Sequence, residues 1–173
     1  SLYMQLHNSP FIDYADFHLW AKNWGWFDCR NPGKTLEHSV EKAIAYIDLH
    51  IAMAGKLGKP LTLDEFGMER DNCQASPGTP VMARDRYLET LLKHIVTDAS
   101  GGGPLTGSNI WAWGGFGEPH PIEEVLNDPG AFLGYPLEEM QGLNSVYASD
   151  TSTIRIIRDH AREMQDLART CDP

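Results

Sequence analysis

Lys59-Pro-Leu-Thr-Leu-Asp-Glu-Phe-Gly67 is the stretch on which the fold turns. It is a short β-like run that begins just after Gly55 and Gly58, either of which suits a helix stop. On its N-terminal side Leu36, Val40, Ile44, Ile47, Ile51 and Ala54 recur at three- and four-residue steps, which predicts a helix with one apolar face. Thr35 is the expected N-cap. On its C-terminal side a second helix is predicted over residues 80–99, with Val81, Leu88, Leu91, Leu92 and Ile95 inward and Thr79-Pro80 as its start signal. A strand thus sits between two helices.

Working outward, the alternation repeats. Residues 11–20 are aromatic and partly alternating, and Ser108-Asn-Ile-Trp-Ala-Trp113 is bounded by glycines. A third helix, begun by Ser152 or Thr153, carries Ile154, Ile157, Ala161, Met164 and Ala168 on one stripe. Strand, helix, strand, helix, strand, helix implies parallel βα units. Residues 1–10 read as the tail of an earlier element. Two architectures accommodate this order: a small open α/β sheet, or the last three-eighths of a (β/α)₈ barrel. A complete barrel takes roughly 250 residues, and the chain has 173. Residues 114–151 show no periodic pattern. A connection longer than about 15 residues is commonly functional, and in a barrel this one would lie on the active-site face.

Composition narrows the function. The formal charge of −10 disfavours nucleic acid and acidic membranes as partners. No apolar run approaches the ~18 residues of a membrane span. Cys29, Cys73 and Cys171 form no CxxC pair, which sets aside a zinc ribbon or finger. Three unpaired cysteines are the expectation, with one disulfide plus a free thiol as the alternative. Glu118, His120, Glu123, Glu124 and Asp128 match no metal-binding spacing, so neither a metal nor a cofactor is expected.

The residues able to carry chemistry gather at strand ends. Asp64 and Glu65 close a strand where barrel enzymes place catalytic groups. Strict alternation lets only one of the two face a given pocket. The plain alternative is an N-cap or a solvated strand end. Asp16, His18 and Trp20 share one face of the first strand by the same alternation. Trp20, Trp24, Trp26, Trp111 and Trp113 are all the tryptophans of the chain, and they fall at the ends of two strands while the helices hold none. Core packing would scatter them. Flat indole faces suit the C–H faces of pyranose rings, so a sugar site is the better account.

These motifs resemble glycoside hydrolase family 5, especially its β-mannanase-like members. The likeness is carried by Ile12-Asp-Tyr-Ala-Asp-Phe-His-Leu-Trp-Ala-Lys-Asn-Trp-Gly-Trp26, by residues 59–67, by Ser108-Asn-Ile-Trp-Ala-Trp-Gly-Gly115, and by Asn144-Ser-Val-Tyr-Ala-Ser-Asp-Thr-Ser-Thr-Ile154 before the last helix. It implies that residues 1–173 are a single partial domain, strands six to eight of a TIM barrel with their helices. It implies retaining hydrolysis of a β-1,4-linked glycan, most simply mannan, with Glu65 as nucleophile and His18 beside the catalytic pair. Trp111 then resembles the floor under the cleaved sugar. Trp20 stands where many members carry Tyr, and an indole N–H donates but cannot accept.

One departure bears on activity. The family's acid/base Glu follows Asn at the end of strand four, and no Asn-Glu pair occurs in the sequence. The lone chain is therefore expected to be inactive until a missing N-terminal barrel portion joins it, on the same or a separate chain. The competing reading is a non-catalytic carbohydrate-binding or interaction module derived from such a barrel. Three open parallel strands would also invite self-association. A secreted or periplasmic location is what the family implies, although no signal peptide is visible in this chain.

Overall fold

The structure is a computed structural model that describes residues 1–137 and 139–170. Three parallel strands in the order β1-β2-β3 make the main sheet: β1 at Ala15–Leu19, β2 at Leu61–Phe66 and β3 at Leu105–Ile110. Each is followed by a long helix in chain order: α2 at Pro32–Leu57, α3 at Met82–Ser100 and α5 at Thr151–Thr170. A short α1, Leu2–His7, precedes them. The repeated βα order read from the sequence is present, and the connections make the sheet parallel.

Alternation decides the two faces of the sheet. Ala15, Phe17, Leu19, Leu61, Leu63 and Leu105 are buried toward the helices. They meet Leu36, Ala43, Ile47 and Ala54 of α2, and Leu88, Leu91, Leu92 and Ile95 of α3, in one continuous core. Burying a side chain of this size is worth roughly 1.5–3 kcal/mol, so this two-layer seam holds the sheet to its helices. The opposite face is polar, with Asp16, His18, Thr62 and Asp64 in partial or full contact with solvent.

The helix starts differ from expectation. Pro32 opens α2 with Asn31 at the cap position, so Thr35 lies inside the first turn. Its hydroxyl instead accepts from the Asp28 N–H and donates to the Asn31 carbonyl. The start of α3 is capped at a distance. Asp71 accepts from the Met82 and Ala83 N–H groups at 3.0 Å each, which satisfies donors that Thr79 was expected to serve. Thr79 instead accepts from Arg70 Nε at 2.7 Å. In α5 the apolar stripe is only half used. Ile156 and Met164 lean on the core, whereas Ala161 and Ala168 are exposed and Thr153 alone is buried among the described residues.

The connection over residues 114–151 is not without structure. It holds β4 at Trp113–Gly115, α4 at Ile122–Asn127 and β5 at Val146–Tyr147, and β4 pairs with β5 in a separate two-stranded sheet. The third strand therefore ends at Ile110, short of Trp113. Two contacts join residues far apart in sequence. Cys29 and Cys73 form a disulfide, contrary to the expectation of three unpaired thiols. Both lie in loops after the C-terminal ends of neighbouring strands, a proximity invisible in a spacing of 44 residues. Cys171 lies outside the described residues.

The second contact is a buried ion cluster. Arg70 makes two parallel bonds of 2.7 Å to Asp150, and Arg84 Nη2 makes a third of 2.7 Å. All three side chains are at most 3% exposed. Burial works to raise the Asp150 carboxyl, but the bonds from Arg70, the Tyr147 N–H and Arg84 outweigh it and hold the group below its ordinary 3.8. A carboxyl held down in the folded state stabilises the fold above its unfolded value, and that contribution is lost as pH falls through the folded one. Removing one partner of a buried pair leaves the other charge uncompensated.

Asp150→Asn is accordingly expected to lower stability by about 3–5 kcal/mol, read as a shift of the urea midpoint at neutral pH. The variant should also lose part of the stability change that the parent shows below pH 3.8. Reducing Cys29–Cys73 should cost about 2–4 kcal/mol; identical unfolding curves with and without reductant would contradict a stabilising bond.

Candidate active site

The C-terminal end of β2 presents Glu65, whose side chain is 28% exposed. β1 brings His18 and Trp20 alongside. The Trp20 Nε1–H donates to Glu65 Oε1 at 2.7 Å, and His18 Nδ1 lies 3.5 Å from the same oxygen. One oxygen is thus fixed, and the other carries no hydrogen bond among the described residues. The indole occupies its single donor in doing so.

Strict alternation fails here for a local reason. The pairing of β1 with β2 shifts register between Phe17 and His18, so that His18 stands opposite Glu65. Asp64 nevertheless also comes close to His18: the ligand atoms of Asp16, His18 and Asp64 lie within 4.8 Å of one another. Both members of the Asp64-Glu65 pair therefore reach the same histidine. Asp16 is held by His7 at 2.9 Å and Asp64 by Asn109 at 2.7 Å, so two of the three potential metal donors already have partners. The other grouping, Asp28 with Cys29 and Cys73, has its sulfurs tied in the disulfide.

Glu65 opens on a small cavity of about 130 Å³ lined by Trp20, Asn23, Trp111, Pro136, Leu143 and Asn144, with Glu139 at its rim. Trp111 follows β3, its N–H still bonded to the Phe66 carbonyl at 2.8 Å. Its ring meets Tyr135 edge-on, centroids 5.9 Å apart. Tyr135 is fully buried, its hydroxyl accepting from the Asn144 N–H at 3.0 Å; burial pushes that phenol up to about 12. Gly67 makes the tight meeting of these parts feasible. A Cβ there would lie 2.3 Å from the Trp111 carbonyl oxygen and 3.2 Å from the Trp20 ring.

The five tryptophans do not act together. Trp20 and Trp111 line the Glu65 cavity. Trp24 and Trp26 pack edge-on to each other and to Tyr46 of α2, with Trp26 against the core. Trp113 lies in β4, 64% exposed, in a different groove. Asn23, Pro136, Glu139, Leu143 and Asn144 were missed as lining residues. The sequence signal for Pro136, Glu139 and Leu143 was the length of the connection that carries them, and Asn144 also opens a segment that carries the family likeness.

The sequence model of the GH family 5 beta-mannosidase-like group matches residues 1–169. Mannan endo-1,4-beta-mannosidase 3 of Oryza sativa subsp. japonica is 25% identical over 167 residues, covering 95% of this chain and 31% of the rice protein. A glycoside hydrolase family 5 mannosidase from Rhizomucor miehei superposes with a TM-score of 0.85 at 31% identity, over 97% of this chain and 41% of that one. A mutant of the Rhizomucor enzyme, solved with mannosyl-fructose, superposes at 0.86 with 30% identity, over 99% of this chain and 42% of that one. The chain therefore spans about a third of the length of its rice relative and two fifths of the solved enzyme. It belongs to glycoside hydrolase family 5, in the β-mannosidase-like group, and its parallel α/β fold is that of this TIM-barrel family.

Gly67→Ala is expected to force Trp111 and the end of β3 away from Glu65, at about 1–3 kcal/mol. Tryptophan fluorescence and thermal unfolding would register the change; a variant with parent spectrum and stability would show that the approach at Gly67 is not needed.

Proposed function

We propose that this family 5 chain is the C-terminal portion of a catalytic barrel, β1 to β3 standing as strands six to eight, and that it hydrolyses β-1,4-linked mannan with retention once the barrel is complete. The observation that carries the reading is Glu65 at the end of the middle strand, one oxygen held by Trp20, facing a cavity walled by Trp111. A binding module needs the aromatic walls, whereas an acidic group at the C-terminal end of a parallel strand is where barrel enzymes place their catalytic residues.

Retaining hydrolysis uses two carboxyl groups about 5–5.5 Å apart. Glu65 attacks the anomeric carbon with its free oxygen, while the partner acid protonates the departing glycosidic oxygen. The glycosyl-enzyme ester is then opened by a water that the same partner deprotonates. Trp20 keeps the nucleophile oriented through both steps, and His18 stands beside it. Trp111 offers its face to the sugar ring. The acid/base comes from the barrel portion outside this chain, so the 173 residues alone bind sugar without turning it over. The polar sheet face and the half-used stripe of α5 are the surfaces which that portion would cover; without it the chain self-associates. A secreted or periplasmic setting suits a polymeric substrate too large to enter a cell.

Hydrolysis of β-mannan is the test, by the chain alone and after mixing with the N-terminal barrel portion. Activity should arise only on mixing, and Glu65→Gln should reduce it by about three orders of magnitude or more. Turnover by the lone chain, or a mixture indifferent to the substitution, would remove Glu65 from the role assigned to it.

A further inference from the structure

Trp111 is fixed at its backbone, and its ring must be fixed by something else. Its N–H bonds the Phe66 carbonyl at 2.8 Å, and its own carbonyl oxygen fills the space that a Cβ on Gly67 would need. The indole N–H makes no hydrogen bond among the described residues. Two side-chain torsions are therefore left to packing. One aromatic ring packs on the indole among the described residues: Tyr135, at an interplanar angle of 84° with centroids 5.9 Å apart. In an edge-to-face pair the rim of one ring meets the π face of the other. The contact thus selects an angle as well as excluding space.

Tyr135 can impose that angle because it is itself held. It is fully buried although it lies in the connection between β4 and β5. Its hydroxyl accepts from the Asn144 N–H at 3.0 Å and pairs with the Ser145 hydroxyl at 3.2 Å. Its carbonyl accepts from Gln141 Nε2 at 3.2 Å, and the other end of that buried amide takes the Leu133 N–H at 3.0 Å. Pro136 follows, which keeps the Tyr135 backbone extended and itself lines the Glu65 cavity. The Ser145 carbonyl is held in turn by Arg84 at 2.7 Å, and Arg84 pairs with Asp150. Filling the core would not call for the hydroxyl: phenylalanine occupies nearly the same volume without a polar atom to bury. The hydroxyl links the ring beneath Trp111 to the ion cluster.

We propose that Tyr135 is a positioning residue of the Glu65 site, setting the angle at which Trp111 presents its face to the sugar and tying that angle to the Asp150 cluster. The proposal rests on the reading of Glu65 and Trp111 as the site of glycan cleavage.

A double-mutant cycle tests it, with the chain joined to the N-terminal barrel portion and assayed on β-mannan. Tyr135→Leu should lower kcat/KM about tenfold or more, because a small misplacement of a group that contacts substrate is costly. Tyr135→Phe keeps the ring and should lower it only about threefold, the worth of an ordinary hydrogen bond. In a Trp111→Phe background both substitutions should have little further effect, since they act through the indole. Equal losses in both backgrounds would overturn the assignment. Near-ultraviolet circular dichroism of the 173-residue chain gives a second reading that needs no turnover. The indole signal removed by Trp111→Phe should collapse in Tyr135→Leu and persist, weakened, in Tyr135→Phe; an indole signal indifferent to both would again overturn it. Tyr135→Phe keeps the question open to measurement if the leucine variant does not fold. Failure of the Glu65 reading looks different: no mixture cleaves mannan, while the indole signal still follows Tyr135.

Discussion

Asp150 is the constraint on which the site depends. Its two oxygens take charge-assisted bonds from Arg70, Arg84 and the Tyr147 N–H, and these donors come from the loop after β2, from α3 and from β5. Arg84 extends the reach by donating to the Ser145 carbonyl at 2.7 Å. Residues 143–147 are thereby held against the β2 end, which brings Leu143 and Asn144 to the cavity wall. Bidentate arginine pairing fixes orientation as well as distance. Two cations around one carboxylate would be poorly balanced in isolation. The cluster holds because burial is combined with hydrogen bonds at both Asp150 oxygens and at every guanidinium nitrogen except Arg84 Nε, close to the condition under which a buried charge is tolerable. Arg70 also lies over the Tyr147 ring, 5.4 Å from its centroid, which supplies further compensation.

A second set of ties acts on the other wall. The disulfide joins the loop after β1 to the loop after β2. Asp71, next to Arg70, caps α3 through two backbone N–H groups. Asn72 and Cys73 both adopt positive φ, a conformation that costs a non-glycine residue free energy and persists only where neighbours over-determine it. Within a few residues the end of β2 and the segment after it therefore carry the nucleophile candidate, the arginine of the ion cluster, a helix cap and a cysteine. Such density explains why residues 66–71 are all buried although 67–70 lie outside strand and helix.

Much of the frame was legible because periodicity reports burial directly. Leu36, Ile47 and Ala54 of α2 and Leu88, Leu91 and Ile95 of α3 announced their faces by spacing, and the βα order followed. Glu65 and Trp111 were legible through resemblance, and their meeting is visible only in three dimensions. What failed were the long-range partners. Thr79 carried the local signature of a cap, yet the α3 donors went to Asp71, a stronger acceptor placed there by the fold. Cys29 and Cys73 gave no hint of pairing because proximity is set by adjacent parallel strands. The five tryptophans looked like one group because sequence places strand ends together without saying which way each ring turns. Trp24 and Trp26 found Tyr46, whose position on α2 no strand pattern could have supplied.

The free surfaces complete the physical picture. α5 has an apolar stripe along much of its length, yet Ala161 and Ala168 remain exposed while Ile154 and Ile157 are only half-buried. A helix gains its stability in a protein chiefly by burying such a face. Across from it, the sheet face bearing Asp16, His18, Thr62 and Asp64 is polar and ordered by its own pairs, Asp16 with His7 and Asp64 with Asn109. A face made of satisfied polar groups can stand in water, whereas an apolar one would need covering. The apolar demand for a partner thus falls on the helix layer and the strand edges, and not on the polar face that carries His18. That separation lets the Glu65 carboxylate be oriented by the ends of β1 and β3 alone, through Trp20 and the packing around Gly67.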